Sequence, residues 1–185
     1  MLAAELYYAG DPQLVADRAR CEQLQYAFNS QADADARGGV LRELLGGVGR
    51  SSYIRPPFFC DYGFNITLGD GVFLNFNCVI LDVVRVAIGD RVQIASAVQI
   101  LAADHPLDVE TRASGLENGR PIVIDDDAWI GGGAILCPGV TVGRGSVIGA
   151  GSLVTRDIPP DVVAVGNPCR VLRELNHTWA VDNGL

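Results

Sequence analysis

Large aliphatic residues recur at every sixth position through Ile124, Ile130, Leu136, Val142, Ile148 and Val154. Two residues before each stand Ile122, Ala128, Ala134, Val140, Ser146 and Ser152, which are small, branched or apolar. Side chains alternate along a strand, so both positions of each hexad face the same way. This period fits neither an amphipathic helix nor a hairpin meander. It predicts a parallel β-helix in which each hexad forms one flat side of a coil. Gly131, Gly143 and Gly149 directly follow three of the large residues. The residue after the large one is expected to turn the corner, where glycine is tolerated because it has no Cβ.

The repeat extends upstream through Leu68, Leu74 and Ile80, with Ile66, Val72 and Cys78 as inward partners. After a two-residue slip at Val83 and Val84 it resumes at Ile88, Ile94 and Ile100, beside Val86, Val92 and Val98. The hexads stop after Ala103 and restart at Ile122. The intervening segment 104–121, DHPLDVETRASGLENGRP, has no register, and an insertion of that size in a solenoid is expected to be functional. It is predicted to protrude as a loop.

The open ends of a β-helix template aggregation unless covered. Residues 1–52 read as a helical cap: Asp11 is an N-cap, Pro12 occupies the first helical position, and a second helix is expected from Ala34 to Leu45, ended by Gly46-Gly47. The β-helix is assigned to 53–168, closed by Pro159-Pro160. Residues 169–185 are read as a short C-terminal helix, from Cys169 to about Asn176, and a tail. The fold class is therefore mainly β.

The 185 residues suit one domain. Five cysteines without a CxxC pair argue against a full disulfide framework and point to a reducing cytoplasm. No secretory signal is apparent at the N-terminus, and apolar stretches fall far short of a membrane span. A net charge of −8 disfavours a nucleic-acid partner.

Three constellations carry chemistry. His105 sits where the repeat breaks, and Pro106 biases it toward an extended backbone. Its near-neutral intrinsic pKa suits taking a proton from a hydroxyl and returning it; the plain alternative is a loop histidine without a role. His177 lies in the polar tail. Two histidines are too few for a three-histidine zinc site, so no metal is expected, and no Gly-x-Ser-x-Gly elbow supports a serine hydrolase. Arg144, Arg156, Arg170 and Arg173 gather toward the end of an acidic chain, and guanidinium groups suit phosphates. Asp61, Asn75, Asn77 and Asp82 could meet sugar hydroxyls, or serve as corner hydrogen bonds.

Together CDYGFNITLGDGVFLNFNCVILDV, ADHPLD, GRPIVIDDDAWIGGGAILCPGVTVG, GAGSLVTRDIPPDVVAVGNPCRV and ELYYAGDPQL resemble the maltose and galactoside O-acetyltransferase family and the nodulation acetyltransferases, from about Leu6 to Leu175. The resemblance implies a left-handed parallel β-helix, a homotrimer with active sites between subunits, and acetyl transfer from acetyl-CoA to a sugar hydroxyl. It implies His105 as the general base and Asn75 as a group beside the acceptor and thioester. Asp61 and Trp129 would line the acceptor groove; Asp82 and Asp11 are the nearest candidates for two further acceptor contacts. Gly132, Ala150, Thr155, Arg156, Arg170 and Arg173 would contact CoA. Val83 stands where galactoside enzymes carry an aspartate, and Asp61 where they carry a serine, so a maltose- or glucose-type acceptor is favoured. The rival readings are a hexapeptide acetyltransferase for antibiotics, amino sugars or serine, and a non-catalytic trimeric solenoid.

Overall fold

The computed structural model describes residues 1–175, and His177 lies outside them. The hexads wind into a three-sided prism of about six turns. The first face stacks Gly47–Val48, Ile66–Leu68, Val86–Ile88, Ile122–Ile124 and Thr141–Val142. The second stacks Tyr53–Ile54, Phe73–Leu74, Gln93–Ile94, Trp129–Ile130, Val147–Ile148 and Val162–Val165. The third stacks Phe58–Cys60, Cys78–Leu81, Gln99–Leu101, Ile135–Leu136 and Leu153–Val154. All these ladders are parallel, and each large hexad residue pairs with its equivalent one coil away, as Ile130 does with Ile94 and Ile148. The inward residues form one continuous core in which Ile122, Ile124, Ile130, Leu136, Val142, Ile148 and Val154 have no exposed surface. Burying each such side chain stabilises the prism by about 1.5–3 kcal/mol.

Corner I joins the first face to the second, corner II the second to the third, and corner III the third back to the first. The glycines after the large residues answer a different need from the one expected. A Cβ on Gly131 would lie 2.5 Å from the Ala150 nitrogen, and one on Gly149 2.6 Å from Val165. They let coils stack closely. The left-handed backbone falls two residues later, at Asn77, Ala97, Gly133 and Gly151 of corner II.

The solenoid begins earlier than residue 53, at Gly47–Val48. Its lower edge is covered by helix α1 (Pro12–Ser30), with helix α2 (Ala34–Leu44) packed beside it. Asp11 caps α1 by accepting from the Gln13 and Leu14 amides. Two amide side chains of α1 stand in for a missing neighbouring strand. Asn29 both accepts from the Phe58 N–H and donates to its carbonyl, and Gln25 does the same for Cys60. The edge of the third face is thereby satisfied. At the other end, the expected C-terminal helix is instead a strand, Arg170–Glu174, antiparallel to Val162–Val165. Pairing to an open sheet edge outweighs the helical propensity of VLREL.

Corner III departs from the eighteen-residue coil. Val48 pairs with Leu68 and Leu68 with Ile88, both twenty residues on, so residues 61–65 and 82–85 each accommodate two extra residues. In the third coil the whole insertion 104–121 leaves from this same corner. No helix among the described residues is long and apolar enough to cross a membrane.

Candidate active site

The insertion is a folded flap. Ala103–Asp104 leaves the third face and pairs antiparallel with the returning Leu116–Gly119, with the short helix α3 (Val109–Ala113) between them. Asp108 caps α3 through the Thr111 N–H and hydroxyl. Tyr7–Tyr8 from the N-terminal segment adds a third antiparallel strand. An Arg120–Asp104 ion pair at 2.8 Å clasps the base of the flap. His105 follows directly, exposed, with its backbone N–H donating to Asp104 Oδ1. Among the described residues no hydrogen bond to its imidazole is found.

Beside the flap lies a pocket of about 280 Å³ lined by Tyr7, Ala9, Arg18, Asp61, Tyr62, Val83 and Glu117. It joins three parts of the chain: the cap, the corner III residues of two coils, and the returning flap strand. Arg18 donates to the Tyr62 hydroxyl at 2.8 Å and to the Ala9 carbonyl at 2.7 Å. Tyr7 donates to Glu117 at 3.1 Å. Burial raises the Asp61 carboxyl above the usual carboxylate range; Arg18 opposes this and Glu117 adds to it. Burial likewise pushes the Tyr7 phenol up, reinforced by the Glu117 carboxylate. The pocket thus offers carboxylate acceptors and a guanidinium held in fixed geometry, a set suited to the hydroxyls of a sugar.

Arg18, Tyr7, Tyr62 and Glu117 were not singled out from the sequence. Arg18 did leave a signal, since it falls on the inward stripe of α1 with Leu14, Cys21 and Phe28, where a charge needs a partner. Glu117 and Tyr7 reach the site only through strand pairing of the flap.

Asn75 lies elsewhere, at corner II after Leu74. Its side-chain oxygen accepts from the Phe76 N–H, which leaves the amide nitrogen as a donor. Above it the same edge is narrow and smooth: Gly133 donates to the Ser96 carbonyl and Gly151 to the Gly132 carbonyl, stacking Ser96, Gly132 and Ala150 in one column. Arg170, paired with Val165, lies at the upper end of the second face toward corner II. Trp129 projects from that face, 47% exposed. Thr155 and Arg156 instead follow the third face at corner III, on the flap side, and Arg173 pairs with Val163 further along the second face. The predicted CoA residues therefore divide between two edges.

Two predicted acceptor contacts, Asp82 and Asp11, do not line this pocket. Asp82 is fully buried, with both carboxylate oxygens taken by backbone N–H groups of the 61–65 corner, so it lies behind the pocket wall. Asp11 accepts from the Gln13 and Leu14 amides through Oδ1 and is exposed, and Ala9 rather than Asp11 lines the pocket. One chain also does not bring His105 and Asn75 together. Corners II and III are separated by the third face, and the six residues 76–81 between them span roughly 20 Å at strand rise.

Comparison with known proteins agrees with this architecture. Residues 1–49 match the maltose acetyltransferase hexapeptide capping motif, and residues 121–156 match the six-repeat bacterial transferase hexapeptide. Nodulation protein L of Rhizobium meliloti is 53% identical over 173 residues, 92% of this chain and 94% of that protein. The crystal structure of a maltose O-acetyltransferase from Clostridium difficile superposes with a TM-score of 0.93 at 47% identity, covering 95% of each chain. A galactoside acetyltransferase in complex with coenzyme A gives a TM-score of 0.91 at 39% identity, over 97% of this chain and 93% of that one. The chain belongs to the hexapeptide-repeat acetyltransferases that include the maltose and galactoside enzymes, and its fold is their left-handed parallel β-helix.

Proposed function

We propose that this protein is an acetyl-CoA-dependent O-acetyltransferase acting on a sugar hydroxyl, with a maltose- or glucose-type acceptor, and that it works as a homotrimer in the cytoplasm. The observation that carries the reading is the division of the site between the two edges of the third face. His105 and the polar pocket occupy one edge, while Asn75 and the smooth Ser96-Gly132-Ala150 column occupy the other. A cyclic trimer that turns the third face toward its axis would bring corner III of one subunit onto corner II of the next. The outward ladder of that face supports this: Phe59, Val79, Gln99, Ile135 and Leu153 include a single polar residue, and Phe59 is 47% exposed in the isolated chain.

In this reading the acceptor enters the pocket of Arg18, Asp61 and Glu117, and the pantetheine arm follows the column of the neighbouring subunit. His105 removes the proton from the attacking hydroxyl as its oxygen adds to the thioester carbonyl, then returns the proton to the departing thiolate. Asn75 donates its free amide N–H to the tetrahedral oxyanion. Arg170 meets a phosphate of CoA. The acyl–sulfur bond breaks, the acyl–oxygen ester forms, and no redox partner is needed.

Release of free thiol from acetyl-CoA, measured against glucose, maltose, galactosides and chitin oligomers, tests the reading. Thiol release is expected with at least one sugar, and His105→Ala should lower turnover by about 10²–10⁴-fold without dissociating the trimer. Silence with every acceptor would sink the enzyme reading. Full activity of His105→Ala would remove histidine from the mechanism.

A further inference from the structure

We propose that Asp82 is a positioning residue for the acceptor: buried beneath the pocket and untouched by substrate, it shapes the 61–65 corner so that Asp61 and Tyr62 face the sugar. The proposal rests on the acceptor reading given above.

The two extra residues at corner III explain why such a group is needed. Elsewhere the N–H groups of one coil donate to carbonyls of the next, as Asn75 does to Ile94 and Val79 to Val98. At the lengthened corner that backbone pattern lapses, and the Asp61, Tyr62 and Asn65 amides donate to a side chain in place of a carbonyl of the next coil. Asp82, one coil up, supplies the missing acceptors. Its Oδ1 accepts from the Asp61 N–H at 3.1 Å and the Tyr62 N–H at 2.9 Å, and its Oδ2 accepts from the Asn65 N–H at 3.2 Å. Asn65 closes the arrangement by donating its side-chain amide to the Asp82 carbonyl at 2.7 Å. Three inward N–H groups require a group that only accepts and presents two oxygens, which an ionised carboxylate does.

The consequences reach the pocket in two steps. The Tyr62 backbone held by Asp82 fixes the Tyr62 hydroxyl, which accepts from Arg18. Arg18 in turn ties down Ala9 of the cap. Asp61, Tyr62, Arg18 and Ala9 all line the pocket, so one hidden side chain orders much of its wall. Asp82 itself has no exposed surface.

A purely structural carboxylate would alter stability without separating the two substrates; a positioning residue should. In steady-state assays of the full-length protein, Asp82→Ala is expected to raise the KM for the best sugar acceptor by about tenfold or more, the scale of lost charge-assisted hydrogen bonds. The KM for acetyl-CoA should stay within about twofold, because the corner II column does not depend on this corner. Asp82→Asn keeps one acceptor oxygen for the Asp61 and Tyr62 N–H groups but sets an amide N–H against that of Asn65, so it should raise the acceptor KM by a smaller, several-fold factor, again with the acetyl-CoA KM within about twofold. Arg18→Ala should raise the acceptor KM in the wild-type background and add little to Asp82→Ala, since its Tyr62 partner is then already displaced. An unchanged acceptor KM, equal rises in both KM values, or full additivity with Arg18→Ala overturns the proposal. If Asp82→Ala does not fold, Asp82→Asn decides by the same two KM values. A wild-type protein that releases thiol with sugars but fails these tests refutes the positioning role alone, whereas wild-type silence refutes the acceptor reading beneath it.

Discussion

Two inactive variants should rescue each other when mixed. His105→Ala removes the proposed base and Asn75→Ala the proposed oxyanion donor, so each homotrimer lacks one component at every interface. One chain cannot supply both groups to one thioester. They stand at opposite corners of the third face, separated by roughly 20 Å at strand rise, whereas reacting groups must meet at about 3–3.5 Å. In a mixed trimer, an interface that takes His105 from the Asn75→Ala chain and Asn75 from the His105→Ala chain is intact. With equal amounts and random assortment each side carries its wild-type residue half the time, so activity should recover to about a quarter of wild type in a cyclic assembly. The assay is thiol release by trimers reassembled from differently tagged variants at several ratios. Recovery should follow the product of the two fractions and peak at equal mixing. A dual-tagged mixture no more active than its parents would refute the division of the site between subunits.

Other consequences are equally specific. Arg170→Ala should raise the KM for acetyl-CoA several-fold with the acceptor KM unchanged, read from the same assay; an unchanged acetyl-CoA KM assigns Arg170 to structure. Ile148→Ala removes a fully buried side chain between Ile130 and Ala164 and should cost about 2–5 kcal/mol, measured by denaturant unfolding. Burial raises the Asp82 carboxyl to about 6 from an ordinary 3.8, opposed by the backbone N–H donors of the 61–65 corner, with the Asp61 charge adding a further rise. A folded state that holds this proton more tightly than the unfolded chain loses the associated stability as pH rises from about 4 to about 6. The loss is about 3 kcal/mol in full. Asp82→Asn should therefore flatten the dependence of unfolding free energy on pH across that window, and an unaltered slope would contradict it.

The prism was legible because its period is carried by residues with no other reason to recur: Ile124 through Val154 all face one core. The cap helix was legible for the same kind of reason, Asp11 and Pro12 being a start signal whose chemistry is local. The flap's internal strands were not. Ala103–Asp104 and Leu116–Gly119 are too short to show a period, and the strand on the other side of Leu116–Gly119, Tyr7–Tyr8, lies about a hundred residues away in sequence. VLREL misled because its spacing suits a helix, while the exposed edge of Val162–Val165 determined the outcome. Asp82 was offered as an acceptor contact or a corner hydrogen-bond group, beside Val83 where galactoside enzymes carry an aspartate, yet sequence could not tell a side chain that touches a ligand from one that shapes the turn touching it. His105 and Asn75 were both named as candidates from the sequence, but their separation across one face emerges only from the winding.

The N-terminal strand has a practical meaning. Tyr7 and Tyr8 border the flap that carries His105, and Tyr7 and Ala9 also line the pocket. Trimming the first ten residues, or fusing a bulky tag close against them, should disturb the pocket of Arg18, Asp61 and Glu117 and loosen the flap in one stroke. Cap and prism are consequently poor candidates for swapping between homologues: a chimaera joined near residue 50 takes three of the pocket's seven lining residues from one parent and four from the other.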